Sequence, residues 1–410
     1  MRALLEYLAW FAGRDAEMPG LVERWCAFRT GSFDRASLRA FADTLVSDFS
    51  LLQAEFKRHD LPPWQTWDED GKPIAMELGP ALVWRKHPEA EIQVLLAIHT
   101  DVVYAEHEKT AADLKIFRDG EWLVAPGAAD AKGGIALVRE ALLCLEASPF
   151  AGRLGWTLVL NPDEEIGSPG SGGLLKSLAA HGDFALLFEP CLPDGSLVGE
   201  RKGSGNFLLR MTGRAAHAGR EPEKGRNAIH ALTASLQRII ALQDRSRGLT
   251  VNVGRISGGG SVNRVPDQAM AWVNFRIAQA SQQAVLSDRL REETERWRTE
   301  EGYALHVHGG FTAPPKAFTG ATAEVMKQVL ACAEALNLDV AVKASGGVCD
   351  GNRLAADGLP NVDTLGPCGE GLHGAGERLH LPSLTERAKL TALVLLSAAS
   401  GLWKPPAKKV

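Results

Sequence analysis

Ile92-Gln93-Val94-Leu95-Leu96-Ala97-Ile98, running into His99-Thr100-Asp101, is the stretch from which the fold can be read. Its apolar residues are almost continuous, not alternating, which is the pattern of a strand buried on both faces. Similar runs lie on either side: Ala81-Leu82-Val83-Trp84 before it, Leu154-Gly155-Trp156-Thr157-Leu158-Val159-Leu160 and Phe184-Ala185-Leu186-Leu187-Phe188 after it. Between the strands lie an apolar helix from Ile135 to Leu145 and a short helix near Leu174 to Ala180. Strands alternating with helices predict an α/β sheet covered by helices on both faces.

Working outward, the segment from Met1 to about His59 reads as helical. Leu38, Phe41, Leu45, Phe49 and Leu52 recur there at three- and four-residue spacing. Asp119-Gly120, between Leu114-Lys115-Ile116-Phe117 and Trp122-Leu123-Val124, predicts a hairpin. Near Gly203 the character changes. Strands at Asn206 to Met211, Leu249 to Val253, Ala269 to Arg276 and Tyr303 to His308 are interleaved with helices at Asn227 to Leu242 and Gln282 to Glu301. That order is βαββαβ, the ferredoxin-like pattern, and it reads as an inserted domain. Thr312-Ala313-Pro314-Pro315 marks its exit. A helix from Ala321 to Leu336, strands at Leu338 to Val342 and Asn361 to Leu365, and a closing helix from Ser383 to Leu402 follow, the last with Ser383 and Glu386 as a capping pair. The expected division is a catalytic domain in two parts, 1–202 and 316–410, with the insertion at 203–315.

Composition sets limits on function. The 410 residues exceed one ordinary core and allow two or three domains. Lys and Arg number 45 against 50 Asp and Glu, a net charge of −5, so no nucleic-acid footprint stands out. Lys404 to Lys409 form the one basic cluster, read as a solvated tail. Glu6 interrupts the apolar first eleven residues, no cleavage site follows, and no run is long enough to span a membrane. The expectation is a soluble cytoplasmic protein with no membrane or nucleic-acid partner. Six scattered cysteines without a Cys-x-x-Cys pair predict reduced thiols, not a disulfide scaffold or zinc ribbon.

Chemistry collects at the predicted strand ends. His99 and Asp101, then Asp163-Glu164-Glu165, then Glu189-Pro190 each follow a strand, where ligand sites of open α/β sheets lie. Taken singly, each has a bland reading: a hydrogen-bonded core histidine, a solvated acidic turn, a strand exit. The loop Pro126-Gly127-Ala128-Ala129-Asp130-Ala131-Lys132-Gly133-Gly134 adds a carboxylate among small residues that allow close backbone approach. Asp130 could be a helix N-cap there. The loop is not a phosphate cradle, because Lys132 precedes the glycines instead of following them. Carboxylates brought together repel one another unless a cation intervenes. Imidazole and carboxylate donors without cysteine suit zinc, cobalt or manganese, and the surplus of carboxylates suggests two ions.

Together these motifs, with a late His373, resemble the dinuclear-zinc exopeptidase and deacylase family of aminoacylase, acetylornithine deacetylase, succinyl-diaminopimelate desuccinylase and glutamate carboxypeptidase of the carboxypeptidase G type. The resemblance runs from about His99 to Glu377. It implies a mixed-sheet catalytic domain with the inserted domain as a lid that also forms a homodimer. It implies two Zn2+ (Co2+ or Mn2+ in their place), with His99 and Glu189 on one ion, Glu165 and His373 on the other, and Asp130 bridging. Asp101 would orient His99, and Glu164 would be the general base. His217, within Gly213-Arg214-Ala215-Ala216-His217-Ala218-Gly219, would reach a neighbouring subunit's site, although alone it reads equally as a solvated loop histidine. Asn263 and Arg276 match carboxylate-binding positions, Arg276 having an ordinary surface ion pair as its other reading. Ser345-Gly346-Gly347 with Asp350 matches a substrate loop, and Cys349 reads as a small filler. The implied substrate is an N-acyl amino acid or small peptide; the rival is a non-catalytic carboxylate-binding relative. The sequence departs from the family at Ala125-Pro126-Gly127, at Ala131, and at Ala313 to Lys316, where relatives place an arginine; Lys316 is the candidate replacement. Lys132 has no role in this reading.

Overall fold

Alternate residues of the strand Ile92–His99 enter two different cores. Val94, Leu96 and Ile98 pack with the helices Gly134–Glu146 and Leu381–Ala399, while Leu95 and Ala97 pack with Leu175 and Leu354 from the helices Gly172–Ala179 and Asp350–Ala356. Side chains alternate across a strand, so helices on both faces demand an apolar residue at nearly every position. The computed structural model describes residues 1–14, 16–68, 71–103, 115–318, 320–374 and 376–406.

The main sheet has six strands in the order Glu55–His59, Ala81–Lys86, Leu154–Asn161, Ile92–His99, Phe184–Leu187 and Asn361–Val362. The first two pairings along this order are antiparallel and the remaining three parallel, making the sheet mixed. Because Leu154–Asn161, Ile92–His99 and Phe184–Leu187 are parallel, Asn161, His99 and the residues after Leu187 emerge at one edge. That edge carries the site.

A second, four-stranded antiparallel sheet stands apart, in the order Thr250–Gly258, Gln268–Ile277, Gly203–Thr212, Ala304–Ala313. The helices Ala228–Ile240 and Ala280–Arg298 cover it around a core that includes Leu209, Leu232, Phe275 and Leu290. The Asn227 side chain starts the first of these helices by accepting a hydrogen bond from the His230 N–H. This is the ferredoxin-like insertion.

Four expectations change. Glu55–His59 is a strand, not the end of a helical segment; it lies at the sheet edge, where only one side needs pairing and charged side chains are tolerated. Leu338 to Ala341 is irregular, and the strand is Val342–Ser345, which pairs with a strand not anticipated, Leu197–Arg201. The closing helix begins at Leu381, with Pro382 in its first turn, so Ser383 is inside it. Ser383 Oγ donates to the His380 carbonyl and accepts from the Cys368 N–H instead of capping. The hairpin around Gly120 comprises Phe117–Asp119 and Trp122–Val124; Leu114 lies outside the described residues, as do Lys408 and Lys409 of the basic tail. Among the described residues no helix is long and apolar enough to cross a membrane.

Candidate metal centre

Two three-residue groups of potential ligands meet at one carboxylate. His99, Asp130 and Glu189 form the first and Asp130, Glu165 and His373 the second; within each group the ligand atoms lie within 4.8 Å of one another. His99 Nε2 is 3.0 Å from Asp130 Oδ1 and 3.5 Å from Glu189 Oε2. His373 Nε2 is 3.3 Å from Asp130 Oδ2 and 3.4 Å from Glu165 Oε2. The two oxygens of Asp130 therefore face different histidines.

Local structure fixes these orientations. His99 Nδ1 donates to the Asp101 carbonyl oxygen at 2.9 Å, which turns its Nε2 toward the carboxylates. The buried Asp101 side chain accepts from the Glu164 and Glu165 N–H groups and from Ser32 Oγ, so it ties the histidine to the acidic turn. Glu377 holds the Asp130 loop: one oxygen accepts from the Gly127 N–H at 2.7 Å, the other from the Ala129 and Asp130 N–H groups at 3.0 Å. Gly127 has φ +69°, a left-handed conformation natural to glycine. A Cβ on Gly134 would lie 2.4 Å from the Phe188 carbonyl oxygen, so the start of the helix Gly134–Glu146 touches the strand exit beside Glu189. The small residues thus admit the close approach of the protein's own chain. Asp130 is not a cap either: its ψ is 87°, and the helix starts after Gly133 without a side-chain cap.

Burial dominates the electrostatics. It raises Glu164 and Glu165 well above the usual carboxylate range, with Glu189 adding to the first and Asp130 to the second. Glu189 is raised by burial as well. Asp130 goes the other way: burial pushes it up, but hydrogen bonds from His373 and His99 outweigh that and hold it low. His373 is pushed up to about 9, chiefly by the Asp130 hydrogen bond. His99 is raised too; burial opposes this, and Glu189, Asp101 and Asp130 prevail. Carboxylates that take up protons and histidines that keep them mark a site built for positive charge. The donor set, nitrogen and oxygen without sulfur, fits two zinc-like ions.

A cavity of about 310 Å³ opens over the cluster and is lined by Asp130, Glu164, Glu165, Glu189 and His373 together with Arg201 and Gly347. Glu164 lines it without belonging to either ligand group. Gly346, Asn263 and His217 do not line it; all three are exposed, the last two on the insertion. Arg276 donates through Nε to Asn274 Oδ1, while its buried Nη1 has no partner among the described residues, and Glu164 is the carboxylate acting on its charge. Asp350 is buried, accepting from Ser168 Oγ and Asn161 Nδ2, so it supports the site from behind instead of lining it. Lys316 is fully buried with its Nζ 2.7 Å from Asp363 Oδ2, and Arg201 grips the same carboxylate with two hydrogen bonds of 2.9 Å. Lys316 is thus engaged in an ion pair inside the protein. Lys132 is also buried, donating to the Phe28 carbonyl, and burial lowers its pKa. Ser32, Arg201, Asp363 and the role of Glu377 were not anticipated; only the position of Glu377, four residues after His373, hints at it.

Comparison with known proteins adds to this geometry. Residues 199–297 match the model of a peptidase dimerisation domain. Carboxypeptidase G2 of Pseudomonas sp. (strain RS-16) is 25% identical over 396 residues, covering 95% of this chain and 92% of that one. Succinyl-diaminopimelate desuccinylase of Bordetella bronchiseptica is 30% identical over 324 residues, covering 74% and 82%. Among solved structures, a tripeptidase from Staphylococcus aureus superimposes with a TM-score of 0.74 at 21% identity, covering 94% of this chain and 99% of that one. A dinuclear metal binding peptidase of the M20 family from Bacillus subtilis gives 0.63 at 14%, covering 94% and 98%.

Proposed function

Because the chain belongs to the M20 peptidase family, we propose that its strand-end cluster is a two-metal centre that cleaves the amide bond of an N-acyl amino acid or of the C-terminal residue of a small peptide. It is a metal-dependent hydrolase of amide bonds, related to a carboxypeptidase and a desuccinylase. Nothing supports the alternative of a non-catalytic carboxylate binder. The observation that carries the proposal is the sharing of Asp130 by two ligand groups.

In this reading His99 and Glu189 would hold one zinc ion, Glu165 and His373 the other, with Asp130 shared between them; cobalt or manganese would suit the same donors. Two bound ions would acidify a shared water and polarise the scissile carbonyl. Glu164, beside the ligands but outside both groups, takes the proton of the attacking water and returns it to the leaving nitrogen. Asp101 keeps the His99 proton on Nδ1. Arg276, with a buried donor free, is suited to the substrate carboxylate, with Gly346, Gly347 and Asn263 as further contacts.

His217 acts in a partner's site. Its Nδ1 accepts from the Gly219 and Arg220 N–H groups, so a neutral ring carries its proton on Nε2, ready to donate to an oxyanion. The insertion at 203–315 is the dimerising lid between two parts of a catalytic domain, and the protein works as a homodimer in the cytoplasm.

The test is a screen of N-acetyl, N-succinyl and folyl-type amino acids and of dipeptides for release of a free amine, with and without chelator. Hydrolysis abolished by chelation and restored by zinc, cobalt or manganese is expected. Hydrolysis indifferent to chelation would overturn the mechanism.

A further inference from the structure

Two cysteines face each other beside the cluster, and nothing in the proposed reaction uses them. Cys191 lies two residues after Glu189, and Cys368 five before His373. Their backbones form a parallel bridge, the Cys191 N–H donates to the Pro367 carbonyl, and the Gly366 N–H donates to the Glu189 carbonyl. The sulfurs are in contact at 3.0 Å. Cys191 is buried and lines the cavity, whereas Cys368 is partly exposed.

A cation attends the pair. Arg387, on the helix Leu381–Ala399, is 4% exposed, and its Nε and Nη1 have no hydrogen-bond partner among the described residues. Its charge acts on both thiols. The hydrogen bond from Cys191, with help from Arg387 against burial, draws the Cys368 thiol down to about 6. Burial instead pushes Cys26, Cys144 and Cys332 up to about 12, which makes them inert at neutral pH.

We propose that Cys191 and Cys368 are an oxidation site: hydrogen peroxide converts them to a disulfide that switches the centre off, and a dithiol switches it on again. The Cys368 thiolate attacks a peroxide oxygen, the S–O bond forms as the O–O bond breaks, and the departing hydroxide takes up a proton to become water. The Cys191 sulfur then attacks the Cys368 sulfenic acid; the S–S bond forms, the S–O bond breaks, and a second water leaves with the Cys191 proton. Two thiols lose two electrons and one peroxide gains them. The new bond ties together the two segments that carry Glu189 and His373, one from each ligand group, and alters the cavity wall at Cys191. Displacements of about an ångström in such a centre are enough to cost about tenfold or more in rate.

The test treats the metal-loaded protein with a few equivalents of hydrogen peroxide and maps non-reduced peptides by mass spectrometry. A Cys191–Cys368 cross-linked peptide is expected, together with a loss of amide hydrolysis of about tenfold or more that dithiothreitol reverses. Cys368→Ser should hydrolyse normally, give no such peptide and resist reversible inactivation; Cys368→Ala serves if the serine variant does not fold. Absence of the peptide from wild-type protein would overturn the proposal, as would a cross-linked protein of undiminished activity. The peptide map does not depend on the proposed function: a cross-link in a protein that cleaves no amide would contradict that function and leave the oxidation site standing.

Discussion

Glu164 and Glu165 are neighbours in one short turn, both half-buried and both raised in pKa, yet only Glu165 lies in a ligand group. In the proposed reading, a one-residue step along the chain divides base from ligand. Glu164→Ala should therefore keep its metal and lose turnover by about 10²–10⁴-fold, the usual contribution of a general base. Metal analysis beside steady-state rates checks this, and near-normal turnover would remove Glu164 from the role. The histidines make a second prediction. His373 is pushed up to about 9, so near neutral pH it carries a proton that a metal ion must displace. Metal affinity should rise with pH until about 9 and fall on acidification. Calorimetry of zinc binding in buffers of different ionisation heat should reveal net proton release near neutral pH; uptake, or no release, would contradict the electrostatics described above.

At the scale of elements, the buried trio of Arg201, Lys316 and Asp363 joins the strand Leu197–Arg201 to the exit of the insertion and to the segment after Asn361–Val362. Asp363 is fully buried; burial opposes its ionisation, but Arg201 and then Lys316 prevail and hold it at about 2, below its ordinary 3.8. A carboxylate depressed in the folded state stabilises the fold above its unfolded pKa, and that stabilisation is lost as pH falls through the folded value. The loss here is about 2 kcal/mol between about pH 5 and about pH 2. Asp363→Asn, leaving two buried cations short of a carboxylate, should cost about 3–5 kcal/mol near neutral pH and flatten that acid dependence. Urea midpoints at both ends of the range measure it; an unchanged midpoint at neutral pH would show that the trio does not hold the elements together. This trio was illegible in the sequence because Arg201 and Asp363 are 162 residues apart, and Glu377 meets Gly127 across 250. What was legible rests on local repetition. Both-face burial wrote Ile92–His99 as a continuous apolar run, and the parallel sheet then brought His99, Glu164, Glu165 and Glu189 to one edge. Misreadings came where a local pattern had two explanations. Glu55–His59 carries charges because it is an edge strand, and Ser383-x-x-Glu386 matches a capping box although Pro382 already lies inside the helix.

For the whole molecule, the insertion and the cluster come from different parts of the chain, and His217 and Asn263 on the insertion do not line the cavity. If His217 serves the partner's site, two dead variants should rescue each other. Glu164→Ala and His217→Ala, unfolded and refolded together, would give mixed dimers with one complete site each, recovering about a quarter of wild-type activity when the halves assort at random. No recovery in mixed dimers verified by mass would assign His217 to its own protomer or to none. The centre itself stands or falls on the sharing of Asp130. The most direct measurement is the metal bound per chain by wild type and by Asp130→Ala, after saturation with zinc and removal of the excess. Two ions on the wild type and loss of both from the variant are predicted; a variant that keeps one ion at undiminished affinity would contradict the shared carboxylate and, with it, the paired centre.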